Sequence, residues 1–234
     1  MCSDSLKVPG SLLLLILAAD GAVAQQAIIN MPSADITPKG KVFLMHETQF
    51  RSWQPGAFWA GTNFFCYGVG RSTEFAITNY NAGTPLQPNI ATGVGFKSSP
   101  QLWKETNPNL ELKLTVGQMA LLNHRGSGLG SFSYSHLSFR LPAVRTRLTA
   151  GGWAGTRQLF NRNTGSVLAG VEHPVGKRWI VLAEWFAGRH DFGFFIPGLL
   201  FHPTKRQIVV FGYKFPNHAE NGKPGFVLEY GITF

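Results

Sequence analysis

Charge is scarce in this sequence. Asp, Glu, Lys and Arg make up 14% of its 234 residues, well below the quarter typical of soluble domains, so a surface bathed in water would be thinly coated. Cysteine is scarcer still, with Cys2 and Cys66 alone. Cys2 falls in a segment with the features of a cleavable export signal, which leaves Cys66 single and excludes an internal disulfide; in its apolar surroundings it reads as a small hydrophobe. Beyond that first segment no stretch approaches 18 apolar residues, which excludes a transmembrane helix. A 3.6-residue apolar period is missing too, so helical packing does not organise the chain. Acidic side chains number 12 against 21 basic ones, a formal charge of +9. Such an excess favours anionic partners without choosing among lipopolysaccharide phosphates, nucleic acid and anionic solutes. No basic patch interleaved with aromatics is present, which argues against nucleic acid.

What the chain does have is glycine and phenylalanine, 27 and 19 of them, and 44% hydrophobic residues so dispersed that mean hydropathy is +0.01. At the start, Lys7, an apolar stretch from Ser11 to Ala19 and the Ala22-Val23-Ala24 site read as a Sec signal peptide over 1–24. Its loss removes Lys7, Asp4 and Asp20 and leaves 20 basic and 10 acidic side chains. Residues 25–40, with two prolines and little pattern, read as an extended leader. From 41 to 234 short alternating strands follow one another between Gly, Pro and Asn punctuation. The pattern predicts strands near 41–50, 57–67, 74–80, 90–97, 110–121, 131–141, 146–154, 167–173, 179–187, 191–200, 207–213 and 226–234, twelve in all within a range of 10–14.

Each strand has one greasy face and one small or polar face. Leu110, Leu112, Leu114 and Val116 share a side, as do Trp179, Val181, Ala183 and Trp185; Phe192, Phe194, Ile196 and Leu200 are read the same way. In the last strand Phe226, Leu228, Tyr230, Ile232 and Phe234 oppose Glu229. The polar faces are rich in Gly, Ser, Thr and Ala with isolated charges, a poor coat against water but a suitable lumen. The expected fold is therefore all-β: a closed antiparallel up-and-down transmembrane barrel with a polar lumen. Inside it Glu47, Glu74, Glu111, Glu172, Glu184 and Glu229 are placed to pair with Lys113, Arg140, Arg145 and Arg147. Trp59, Tyr80, Trp153, Trp179, Trp185, Tyr213 and Tyr230 are expected in interfacial girdles. With the C-terminus on the periplasmic side, most long connections fall outside; 98–109, long but inside, and 187–190, short but outside, break the rule.

The export signal, the alternating strands and a last strand with Tyr230 that ends on Phe234 resemble bacterial outer-membrane β-barrel proteins. The resemblance spans the chain from 25 on as a pattern, with no subfamily motif. It implies location in the outer membrane of a Gram-negative cell, contact with outer-membrane lipid and lipopolysaccharide, and recognition of the Tyr230/Phe234 end by the barrel-assembly machinery.

Sharper motifs are few. In S-Y-S-H-L-S-F-R, His136 and Ser138 share a strand face, and outer-membrane lipid-A deacylases use a His/Ser pair in such a setting. Same-face neighbours lie roughly 6.5–7 Å apart at Cα, however, and no local acid accompanies them; Glu172 is a candidate third member. The seven histidines lack metal-ligand spacing, and no cofactor motif is found. Gly68 to Arg71 and Gly126 to Gly130 resemble phosphate loops but precede no helix, so they read as turns. Arg145-x-Arg147, read as a pair on one strand face beside Arg140, is the most suggestive basic cluster, suited to favour anions in a pore or to pair with lumen glutamates. Three functional readings follow: a small channel or passive transporter for small, anionic-leaning solutes; an enzyme acting on lipid A or other envelope lipids through His136 and Ser138; and a non-catalytic binding or structural barrel. A twelve-stranded lumen is narrower than that of the 16–18-stranded porins, so the leader is a candidate obstruction.

Overall fold

The computed structural model describes residues 26–81, 90–103, 111–124, 128–160 and 162–234. The signal-peptide reading, Leu110 and Gly126 lie outside them. Twelve strands form one closed barrel in which each pairs with its neighbours in sequence: β1 (Val42–Arg51), β2 (Phe58–Gly70), β3 (Thr73–Asn81), β4 (Ile90–Ser98), β5 (Glu111–Asn123), β6 (Leu129–Arg140), β7 (Arg147–Gly155), β8 (Gly165–Val175), β9 (Trp179–Phe186), β10 (Phe194–Phe201), β11 (Gln207–Pro216) and β12 (Gly225–Thr233). β1 and β12 close the seam antiparallel from Phe43 opposite Thr233 to Phe50 opposite Phe226. The last residue takes part: Phe234 N donates to Val42 O at 2.9 Å. Closure leaves no strand edge.

Period-two alternation sets the faces. Outward on successive strands stand Leu44, Phe65, Ile77, Val94, Val116, Leu137, Leu148, Val167, Val181, Leu199, Phe211 and Leu228, all exposed. Inward stand the charges: Glu47, Glu74, Lys97, Arg147, Glu172, Glu184 and Glu229 are buried. One predicted face is reversed. Phe194, Ile196 and Leu200 point inward and are buried, whereas Phe195 and Leu199 face out; both faces of β10 are apolar, so polarity alone cannot orient it. Two aromatics assigned to the girdles are also inside: Trp153 is buried, and Tyr80 meets Phe64 edge-on and donates to Met119 Sδ at 3.7 Å. They follow Thr149 and Thr78 in the inward phase of their strands.

The lumen is occupied by the segment that precedes β1. Residues 26–41 enter the barrel from the end that carries the start of β1 and the end of β12, and Ile28, Ile29, Met31, Ser33 and Ala34 are fully buried. This plug packs its apolar residues against the apolar sector of the lumen, where inward glycines make room. A Cβ on Gly170 would stand 2.4 Å from Ile28, and those on Gly198 and Gly212 would each stand 3.1 Å from Ile29. Gly68 on β2 is the tightest seat: its Cβ would lie 2.2 Å from Pro38 O and 2.3 Å from Thr37 O. Here the plug backbone lies directly on the wall, with Gly40 N donating to Gly68 O at 2.8 Å.

The opposite mouth is capped. A single helical turn, α1 (Arg157–Phe160), and the 187–193 connection fold over it. Phe160 is 4.2 Å from Trp153, ring to ring, and His190 is 4.7 Å from Trp153, with Phe132 and Phe186 completing the cluster. That connection is longer than the predicted 187–190 because β10 begins only at Phe194.

Candidate functional site

The lumen is layered into a charged vestibule at the plug end, the plug itself, and the aromatic cap. The plug is anchored through its backbone. Glu184, inward on β9, accepts three consecutive amides: Ile29 N and Met31 N on Oε2 and Asn30 N on Oε1, each at 2.8 Å. A carboxylate fits this task because three convergent N–H groups form a small anion cradle. Glu74 accepts Thr37 N at 2.7 Å and pairs with Lys97 at 3.2 Å, while Lys97 donates to Gln26 O at 3.0 Å. Gln49 donates to Asn30 Oδ1 at 3.0 Å.

Below the plug, at the end bearing the barrel's first and last strand ends, lies a cavity of about 820 Å³. Its inner part is a ring of alternating charge. Arg147 on β7 grips Asp35 of the plug with both terminal nitrogens at 2.9 Å and reaches Glu172 on β8 at 3.2 Å. Arg140 on β6 donates to Glu111 on β5 at 2.9 Å, and Lys113 lies 3.1 Å from Glu111 and 3.9 Å from Asp35. Burial alone would raise the Asp35 carboxyl, but the Arg147 guanidinium, with Lys113 and Lys97 behind it, overcomes this and holds it at about 2. In this ring three acids face three bases, so inner charge is balanced. The mouth differs: Arg145, Lys177, Arg178 and Lys205 also line the cavity, and among the described residues its lining contains no acid beyond Asp35, Glu111 and Glu172. The excess positive charge therefore sits at the entrance.

The structure brings Glu111, Lys113, Arg140, Arg147 and Glu172 together in that ring and adds Asp35, which sequence reasoning missed because the leader carries no strand pattern. Arg145 departs from the reading that put it on one strand face with Arg147. It lies in the turn between β6 and β7 with φ of 57°, its N–H donating to Leu141 O at 2.7 Å; Pro142 ends the ladder, and Arg145 turns to the vestibule mouth. Glu184 is higher, on the plug, and Glu229 is buried opposite Glu47 across the β1/β12 seam. Tyr230 and Phe234 are exposed on the outer wall, the Tyr230 hydroxyl accepting from Gln207 Nε2 at 2.7 Å.

His136 and Ser138 both face inward and are buried. Ser138 Oγ is 3.4 Å from His136 Nδ1 but 2.8 Å from Thr149 Oγ1, so the hydroxyl is engaged sideways. Glu172 serves Arg147 and leaves the pair without an orienting acid. At His190, in the cap, burial lowers the imidazole pKa and keeps the ring neutral. Among the described residues no group of three or more His, Cys, Asp or Glu side chains is placed to hold a metal ion.

No family model matches the sequence, and no curated protein matches it. Solved structures similar to the chain include outer membrane phospholipase A from Escherichia coli, at 8% identity and TM-score 0.48 over 85% of this chain and 98% of that one. The calcium-bound Salmonella typhi outer membrane phospholipase dimer matches at 8% and 0.47 over 93% and 98%. The N-terminal β-barrel domain of Pseudomonas aeruginosa OprF matches at 8% and 0.28 over 84% and 98%. Likeness at this level carries no argument about this chain, whose barrel and vestibule stand on its own geometry.

Proposed function

We propose that this chain is an outer-membrane β-barrel that admits small anionic solutes to the basic vestibule and passes them only when the N-terminal plug leaves the lumen. The observation that carries this reading is the vestibule: a large, open, positively charged cavity that ends blindly against a segment held by hydrogen bonds and ion pairs. Four cations at the mouth raise the local concentration of anions, and the balanced ring behind them offers Arg and Lys donors for exchange.

The membrane part of the proposal rests on the wall. Roughly thirty large apolar side chains stand exposed. In water each half-exposed one would forgo about 1 kcal/mol of burial, about 30 kcal/mol in all, whereas ordinary monomers keep their apolar patches small. Hydrocarbon recovers that energy, and a closed barrel satisfies its backbone there. Export through the 1–24 signal, insertion by the barrel-assembly machinery at the Tyr230/Phe234 end, and contact with lipopolysaccharide belong to the same proposal.

The lipid-hydrolysis reading at His136 and Ser138 is disfavoured, since both are sealed inside while lipid lies outside. The decisive measurement is current across a planar bilayer. Wild-type protein is expected to be silent, and variants that weaken the plug to give discrete steps with anion preference. Silence from folded, plug-weakened variants in repeated preparations leaves a non-conducting binding barrel instead.

A further inference from the structure

We infer that Thr48, His46 and Asn63 form an acyl-transfer site on the outer wall, directed at the ester carbonyl of a membrane acyl lipid. The inference rests on that wall being lipid-covered. It concerns a different face from the vestibule and requires no solute passage.

His46 is the fifth residue of β1 and Asn63 lies directly opposite it on β2. Both point outward and are exposed, in a wall where Leu44, Phe65, Leu228 and Tyr230, which stands opposite His46 on β12, are their same-face neighbours. His46 Nδ1 is 2.8 Å from Asn63 Oδ1, and His46 Nε2 is 3.0 Å from Thr48 Oγ1. The amide oxygen only accepts, so Nδ1 carries the proton. Nε2 then presents its lone pair to the Thr48 hydroxyl, which donates to it. That is the order nucleophile, base, orienting group that activates an alcohol. Gly61 stands opposite Thr48 on β2, and a Cβ there would meet nothing closer than 3.7 Å. The wall beside the hydroxyl is therefore notched and open to a carbonyl.

Two other outward histidines mark the contrast. His124 bonds Thr92 and His173 bonds Thr146, but His124 follows the end of β5 and Thr146 precedes β7, at the rims where water reaches. Within the strands a polar side chain facing hydrocarbon is costly and marks a functional site by default. At His46 both ring nitrogens are committed, one to an acceptor and one to a hydroxyl.

In the reaction Thr48 Oγ attacks the ester carbonyl carbon while its proton passes to His46 Nε2. The tetrahedral intermediate collapses, the carbon–oxygen bond to the leaving alcohol breaks, and that oxygen takes the proton from His46, leaving acyl-Thr48 and a lyso-lipid. Water, deprotonated by His46, then attacks the acyl ester and releases a fatty acid and free Thr48. Asn63 holds the ring and its tautomer throughout.

The test uses the refolded barrel in two sets of mixed micelles, one of phosphatidylethanolamine and one of lipopolysaccharide, with free fatty acid as the readout and hexadecanesulfonyl fluoride as a covalent probe. Acid release from one set, with the probe on Thr48, is expected, and the active set identifies the lipid. Thr48→Val and His46→Phe are expected to lose at least about 10²-fold in rate together with the label, Asn63→Ala about tenfold, and Thr48→Ser to retain both. His136→Phe is expected to change neither. Protein that partitions into detergent and shifts mobility on boiling, yet releases no acid and takes no label, overturns the site while leaving the membrane reading intact. Hydrolysis that survives Thr48→Val overturns it equally. Failure to partition overturns the wall reading on which the site depends.

Discussion

Glu184→Gln is the most informative single change, because it alters the plug anchor with almost no change of volume. In the native barrel both carboxylate oxygens are used, taking three backbone N–H groups at 2.8 Å. A glutamine has one acceptor oxygen. At best it keeps the two amides that share Oε2, without their charge assistance, and turns an NH2 toward the third. Net values are about 1.5–3 kcal/mol for a bond to a charged group and about 1 kcal/mol for a neutral one. The docked plug should therefore lose about 3 kcal/mol, which raises the undocked population about 10²-fold. Cys66 reports on this directly. It is buried and faces the lumen two residues from Gly68, on the stretch of wall where Thr37 and Pro38 seat. When opening is fast relative to modification, its rate of reaction with a soluble maleimide follows the open population. The variant should label about 10²-fold faster than wild type while keeping its boiling-dependent mobility shift. Labelling within threefold of wild type would refute the claim that Glu184 holds the plug.

Gly68→Ala attacks the same docking from the wall: its Cβ would collide with Thr37 O and Pro38 O, backbone that cannot swing aside, at about 1–3 kcal/mol. Cys66 should label about fivefold to 10²-fold faster, and unchanged labelling would show that the plug does not seat there. Asp35 gives the plug a pH dependence. Its carboxyl is held at about 2 against an ordinary 3.8, so it contributes above pH 4, at most about 2 kcal/mol, and this is lost as the pH falls through 2. Pepsin cleavage of residues 26–41, normalised to an unfolded peptide, should accelerate across that window; Asp35→Asn should be fast already at pH 4, and a wild-type rate there would refute the assignment. In the Glu184→Gln background, reversing Arg145 and Arg178 to Glu cancels the mouth's excess of four positive charges. The reversal potential in a salt gradient should then move toward cations, and an unmoved potential would place the selectivity elsewhere.

The barrel was legible because its signal is local. Alternation in segments such as F-V-L-E-Y-G-I-T-F marks both the strand and its faces, and the predicted strand bounds fall within three residues of those observed. Legibility failed where both faces are apolar. In β10, F-F-I-P-G-L-L-F, polarity cannot tell inside from outside, and the residue that makes an apolar inner face sensible, Ile29, lies more than 150 positions away. The plug itself left one trace, Ile28, Ile29 and Met31 in a segment otherwise read as a leader, but no periodicity told which surface they cover. Arg147 and Glu172 were recognisable among the lumen charges placed to pair, though not as each other's partners; Asp35, which Arg147 grips, was not, because only the folded plug delivers it. His46, Thr48 and Asn63 likewise become a unit only once β1 and β2 are in register.

Strand number explains why such a plug is needed at all. Eight strands make an interior that side chains alone can fill, and 16–18 leave a channel of water. Twelve fall between. In the sector lined by Leu168, Leu182, Ile196, Leu200, Ile208 and Val210, an empty lumen would leave apolar surface wet on both sides of the wall. A single extended segment is the filler that fits, provided its own backbone polar groups find partners away from water. Glu184, Glu74 and Lys97 supply those partners from the inward faces, and Arg147 adds a grip on the Asp35 side chain. The buried Glu184, Glu74, Lys97 and Arg147 are thus explained first by the plug they hold, and Arg145, Lys177 and Arg178 line the vestibule mouth where a ligand would enter.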